Sequence, residues 1–77
     1  VLRCGAVNRS WFPEFRHRQL VAKRLAVKMN LTFVPFQAMF DQGVELAPPT
    51  YWARDGVHPT LAGHALMAKT WREVVGI

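Results

Sequence analysis

Cysteine, serine, tyrosine and acidic side chains are all scarce in this 77-residue sequence, and it holds no long hydrophobic run. The single cysteine, Cys4, cannot close an internal disulfide or build a Cys-rich zinc site. No apolar stretch approaches the ~20 residues that a membrane-spanning helix needs, so no membrane span is expected. A charged leader followed by an apolar segment and a small-residue cleavage site is not visible either, and that assigns the chain to no compartment. Five Asp and Glu stand against ten Lys and Arg, for a formal charge of +5.

What is present describes a folded segment. Half of the residues (51%) are hydrophobic, 19% are charged and the mean hydropathy is +0.02, too apolar for a disordered chain. The length allows one domain at most, and a domain this small buries only about 60% of the surface its unfolded chain exposes. The positive charge is local, because Arg16, Arg18, Lys23, Arg24 and Lys28 fall in one 13-residue stretch. Such a cluster reads more readily as the solvated face of a helix than as a phosphate-binding site. A small basic nucleic-acid-binding or interaction module is the alternative. It would need interleaved aromatics, a glycine-rich loop or helix-turn-helix spacing, none of which is found, so no nucleic-acid partner is expected.

Val1-Leu2-Arg3-Cys4 reads as the end of a strand, and Gly5, Asn8, Ser10 and Pro13 as a loop. From Pro13 to Met29 the pattern predicts an amphipathic helix. Val21, Leu25 and Met29 recur every four residues, Pro13 suits the first helical position, and Glu14 suits the positive end of the dipole. Asn30 tolerates the left-handed conformation of a helix terminator. Residues 31–35 read as a short buried strand, 36–42 as a brief helix ended by Gly43, and 44–57 as a loop. Pro59 and Thr60 open a last helix to about Val75, with Leu61, Ala65, Ala68 and Trp71 along one side. Alternation of this kind predicts an α/β segment with parallel strands joined by crossover helices. Two strands leave an incomplete parallel sheet, so the chain reads as the tail of a larger domain.

The densest chemistry lies in Tyr51-Trp52-Ala53-Arg54-Asp55-Gly56-Val57-His58-Pro59-Thr60-Leu61-Ala62-Gly63-His64. A carboxylate three residues before an imidazole, with a glycine between them to bend the backbone, can reach the Nδ1–H of the ring. It then fixes the tautomer and leaves Nε2 to take a proton from a nucleophile. Pro59 restricts His58 to extended backbone and so limits how the ring is aimed. A bare D-x-x-H is more often a capped turn with a solvated histidine, and only the longer string is specific. A metal site from Asp55, His58 and His64 is disfavoured, because His64 lies farther along the helix and no fourth ligand is evident. No metal or cofactor is expected. His17, among arginines, reads as a surface residue, and Ser10, the only serine, lacks the strand–turn–helix setting of a nucleophile elbow.

The string D-G-V-H-P-T-x-x-G-H, followed by an apolar helix, resembles the C-terminal block of the SGNH hydrolases, also called the GDSL esterase/lipase family. The stretch around Thr32-Phe33-Val34 and Gln37-Ala38-Met39-Phe40-Asp41 looks like that family's last strand and its adjoining segment. The resemblance implies that residues 1–77 are the C-terminal portion of a flavodoxin-like three-layer α/β/α sandwich. It further implies a serine ester hydrolase working through a Ser-Asp-His triad and an acyl-enzyme, with Asp55 and His58 as its catalytic acid and base. On this reading Tyr51 and Trp52 are candidates to line the substrate pocket, Gly63 permits close helix packing, and His64 is structural. The expected substrate is a small ester or an acylated carbohydrate. The family's serine, glycine and asparagine blocks are missing: no Gly-Asp-Ser occurs, and Asn8 does not sit where the oxyanion-hole asparagine would. The missing N-terminal part of the same domain is therefore the expected partner, and the 77 residues alone are expected to be inactive.

Overall fold

Helix-forming sequence dominates what the chain builds. In the computed structural model, which describes residues 1–4 and 7–76, a 3-10 turn (Arg9–Trp11) leads into α1 (Phe12–Lys28), α2 (Phe36–Gly43), α3 (Pro49–Trp52) and α4 (Leu61–Val75). Gly5, expected to be a turn-former, lies outside the described residues. Asn8 starts the 3-10 turn, its side-chain oxygen accepting from the Ser10 amide at 2.9 Å and the Ser10 hydroxyl at 2.8 Å. Pro13 and Glu14 fall in the first turn of α1, as their chemistry favours, and Arg18 pairs with Glu14 one turn back at 3.1 Å.

The end of α1 is a Schellman motif. Asn30 adopts φ +54°, its amide donates to the Val27 carbonyl at 3.2 Å, and the Leu31 amide donates to the Ala26 carbonyl at 2.8 Å. Beyond it, residues 31–35 form no strand, and neither do residues 1–4; among the described residues no strand is present. The backbone amides of a parallel strand need a neighbouring strand to accept them, and the described residues offer 31–35 none. The sheet and the layered sandwich expected from the alternation are therefore not formed by these residues alone. The stretch 44–57, expected to be a loop, holds the four-residue α3, which Pro49 initiates.

The core is small and lies away from α1. Leu2, Met39, Phe40 and Ala53 are buried together, with Phe36, Val44, Trp52, Leu66 and Met67 packed around them. The chain thus joins α2, α3 and α4 around one residue of the N-terminal segment. The packed side of α4 is Gly63, Leu66 and Met67, whereas Leu61 (90% exposed) and Trp71 on the side read from the sequence face outward. Val21, Leu25 and Met29 of α1 are exposed as well, and Ala26 is that helix's one buried residue among those described. The accessible surface, 5996 Å², exceeds the roughly 4,800 Å² that scaling gives for a compact protein of this mass.

Candidate active site

Between α3 and α4, residues 53–59 fold into a tight loop closed at its base. Ala53 and Pro59 form an isolated antiparallel bridge, and the Thr60 amide donates to the Trp52 carbonyl at 2.9 Å. Inside the loop the Gly56 amide donates to the Ala53 carbonyl at 3.0 Å, and Gly56 turns the chain with φ +83°. Few residues other than glycine hold that backbone angle without strain. A side chain is excluded there for a second reason. A Cβ on Gly56 would collide with the Val7 side chain and sit 2.7 Å from the Leu2 carbonyl oxygen and 2.9 Å from Cys4 Sγ. The Leu2 amide completes the docking by donating to the Gly56 carbonyl at 2.7 Å.

This turn brings Asp55 and His58 together. Asp55 Oδ1 accepts the backbone amides of Val57 (2.9 Å) and His58 (2.8 Å), so the carboxylate is locked by its own turn. Its other oxygen, Oδ2, lies 2.6 Å from His58 Nδ1. The His58 amide, the ring contact and the Val57 amide all favour the ionised carboxylate and hold Asp55 well below the usual range for an aspartate. An anionic acceptor at Oδ2 places the proton on Nδ1 and leaves Nε2 as the ring's acceptor. The imidazole is 83% exposed and borders a groove of about 400 Å³ lined by Arg54, Asp55, His58, Pro59 and Thr60. A short contact to an ionised carboxylate beside an open groove leaves the His58 ring oriented yet reachable.

Not every residue singled out from the sequence joins the dyad. Tyr51 is exposed, and its ring meets that of Trp52 edge-on at 4.8 Å between centroids. Trp52 is half-buried against the core, its indole donating to the Ala47 carbonyl at 3.3 Å. Both adjoin the loop, and neither borders the groove. Gly63 is buried where a Cβ would run into the Trp52 carbonyl oxygen, which explains the close approach of α4 to α3. His64 and His17 are exposed on their helices, and no group of three or more metal-ligating side chains exists among the described residues. A larger hollow of about 770 Å³ lies between the N-terminal segment, α1 and α2, and contains neither Asp55 nor His58.

Sequence reasoning missed what Arg54 and Thr60 do around this loop. Arg54 is the permanently charged cation of the groove's lining, and Thr60 bonds to both flanking helices. The signal for Thr60 was its place just before an apolar helix, where Thr is a preferred N-cap.

No family model matches the chain. An acetylxylan esterase of Geobacillus stearothermophilus is 36% identical over 56 residues, which is 73% of this chain and 26% of that protein. The crystal structure of a GDSL-like lipase from Parabacteroides merdae matches with a TM-score of 0.88 and 47% identity, over 92% of this chain and 33% of that one. The chain thus spans about a quarter to a third of the length of these relatives. In sequence and fold the chain is thus similar, over most of its length, to a part of the SGNH hydrolases, or GDSL esterase/lipase family.

Proposed function

We propose that this segment supplies the acid–base half of a serine ester hydrolase. The observation that carries the reading is the 2.6 Å contact between Asp55 Oδ2 and His58 Nδ1, beside a carboxylate already fixed by two backbone amides. Nε2 of His58 removes the proton from a serine hydroxyl as that oxygen attacks the ester carbonyl. The imidazolium then returns the proton to the departing alcohol, leaving an acyl-enzyme. A water molecule deprotonated by the same Nε2 releases the acid and restores the serine. Asp55 does not take the proton; it keeps the tautomer and stabilises the imidazolium.

The serine and the oxyanion donors come from polypeptide outside these 77 residues, because Ser10 sits on the 3-10 turn and does not border the groove. The segment alone therefore has no turnover. The substrate we propose is a small acyl ester, with acetyl groups on a carbohydrate as the leading class, which the acetylxylan esterase relative supports. Tyr51, exposed beside the loop, offers a sugar or acyl group an aromatic face, with Trp52 bracing it from behind. The test is 4-nitrophenyl acetate hydrolysis by the full-length protein and its His58→Ala variant. Loss of about 10³-fold or more in kcat is expected, and retention of activity within tenfold would remove the proposal.

A further inference from the structure

We propose that Thr60 is a positioning residue for this reaction, its hydroxyl fixing where the Asp55–His58 loop sits relative to the helices on either side. The inference rests on the esterase reading and adds to it a residue that acts through His58. Its basis is a concentration of bonds on one oxygen. Thr60 Oγ1 donates to the Tyr51 carbonyl at 2.7 Å, with a weaker component to the Trp52 carbonyl at 3.1 Å, and accepts the Gly63 amide at 3.1 Å. One side chain thus links the end of α3 to the beginning of α4, with the loop between them.

The bonding has a simple cause. A helix of four residues such as α3 ends with carbonyls that no later amide of the same helix can satisfy, and α4 begins with amides in the opposite predicament. Thr60 answers both, through its own amide to Trp52 and its hydroxyl to Tyr51 and Gly63. The bonds that hold the dyad run only between residues 55 and 58. The dyad can therefore persist in a displaced loop, and its internal geometry does not secure its aim. Aim is what a proton shuttle needs, since a misplacement of about 1 Å can cost about 100-fold in rate. Thr60 also lines the groove that His58 borders, so its tether acts within the same site.

Two substitutions in the full-length protein separate this role from simple stabilisation. Thr60→Val keeps the branched shape and loses donor and acceptor, whereas Thr60→Ser keeps both. With 4-nitrophenyl acetate, and with sites counted by titration with a phosphonate, Thr60→Val is expected to lower kcat about tenfold, with KM within about twofold. Its pH profile should keep the wild-type shape, because the dyad is intact. Thr60→Ser is expected to restore kcat to within about twofold. A Thr60→Val enzyme with wild-type kcat per titrated site, or a Thr60→Ser enzyme as impaired as Thr60→Val, overturns the proposal. Activity that survives His58→Ala would instead reject the esterase reading. Amide exchange then decides the matter for Thr60. Lost protection at Gly63 and across residues 53–60 in Thr60→Val, regained in Thr60→Ser, supports the tether, and unchanged protection overturns it.

Discussion

Replacing Gly56 by alanine tests the way the dyad loop is held. Two responses are open to the variant, and the cheaper one sets the cost. If the backbone stays, alanine at φ +83° costs about 1–2 kcal/mol of left-handed strain. The new methyl group then sits 2.7 Å from the Leu2 carbonyl oxygen and 2.9 Å from Cys4 Sγ, besides its collision with Val7. Such overpacking costs about 1–3 kcal/mol more. If the loop swings away, the collision is relieved, but the 2.7 Å bond from the Leu2 amide to the Gly56 carbonyl is lost, at about 0.5–1.5 kcal/mol. Val7 and Leu2, buried at 5% and 3% exposure, are then partly uncovered. The first route sums to about 2–5 kcal/mol. The second keeps the strain and loses the bond, so the cheaper response brings the expected loss to roughly 2–3 kcal/mol, or about 30- to 150-fold in the unfolding equilibrium. Urea denaturation of the full-length protein measures it. Gly56→Asn is the informative companion, because asparagine tolerates the angle yet carries a Cβ. Equal damage from both variants identifies the collision, and recovery in asparagine identifies the strain. A Gly56→Ala protein within about 0.5 kcal/mol of wild type would refute the account of the loop.

Asp55→Asn should leave the turn bonds to Val57 and His58 in place through the amide oxygen, yet lose the anionic acceptor for Nδ1, lowering kcat by about 10²–10⁴-fold at neutral pH. The Asp55 carboxyl is depressed below its ordinary value, so its contribution to the loop is complete above the unfolded aspartate range, about pH 3.9, and disappears only as pH falls through the lower folded value. Carbon-detected NMR titration of that carboxyl should accordingly show no protonation above about pH 4. A midpoint at or above that pH would contradict the hydrogen-bonded carboxylate. The purified 77-residue chain should not hydrolyse 4-nitrophenyl acetate above a His58→Ala control of the same chain.

Local chemistry was legible in the sequence, and long-range pairing was not. Pro13, Asn30, Thr60 and the four-residue repeat of Val21, Leu25 and Met29 act within a few positions of themselves, and α1, α2 and α4 appear within a residue or two of where those signals put them. The Asp55–His58 contact belongs to the same class, since its three-residue spacing is closed by a turn that glycine permits. Residues 31–35 carry strand-forming composition, but a strand is a relation between two segments, and composition cannot supply the second. The packed side of α4 was misjudged for a related reason. Gly63, Leu66 and Met67 face the core because the backbone approaches Trp52 at Gly63, a fact of tertiary contact that a helical wheel does not contain. The tie from Leu2 to Gly56 spans more than fifty residues and left no trace in local pattern.

The apolar side of α1 tests the proposal that this chain is completed by further polypeptide. Among the described residues α1 contacts the 3-10 turn and no other helix, while Val21, Leu25 and Met29 are 37%, 49% and 63% exposed. A 17-residue helix with one buried alanine among its described residues has little beyond its own propensity to hold it, whereas most helical stability in proteins comes from packing an apolar face. Full burial of a large aliphatic side chain is worth about 1.5–3 kcal/mol, so covering what these three still expose offers roughly 3 kcal/mol. In the isolated chain, amides of α1 should therefore exchange faster than those of α4, whose Leu66 and Met67 join the core. In the full-length protein the same α1 amides should slow by about 100-fold or more, as 3 kcal/mol requires. Protection in α1 that is equal in the two forms would mean that the stripe needs no cover, and that the excess surface of this chain is not an interface.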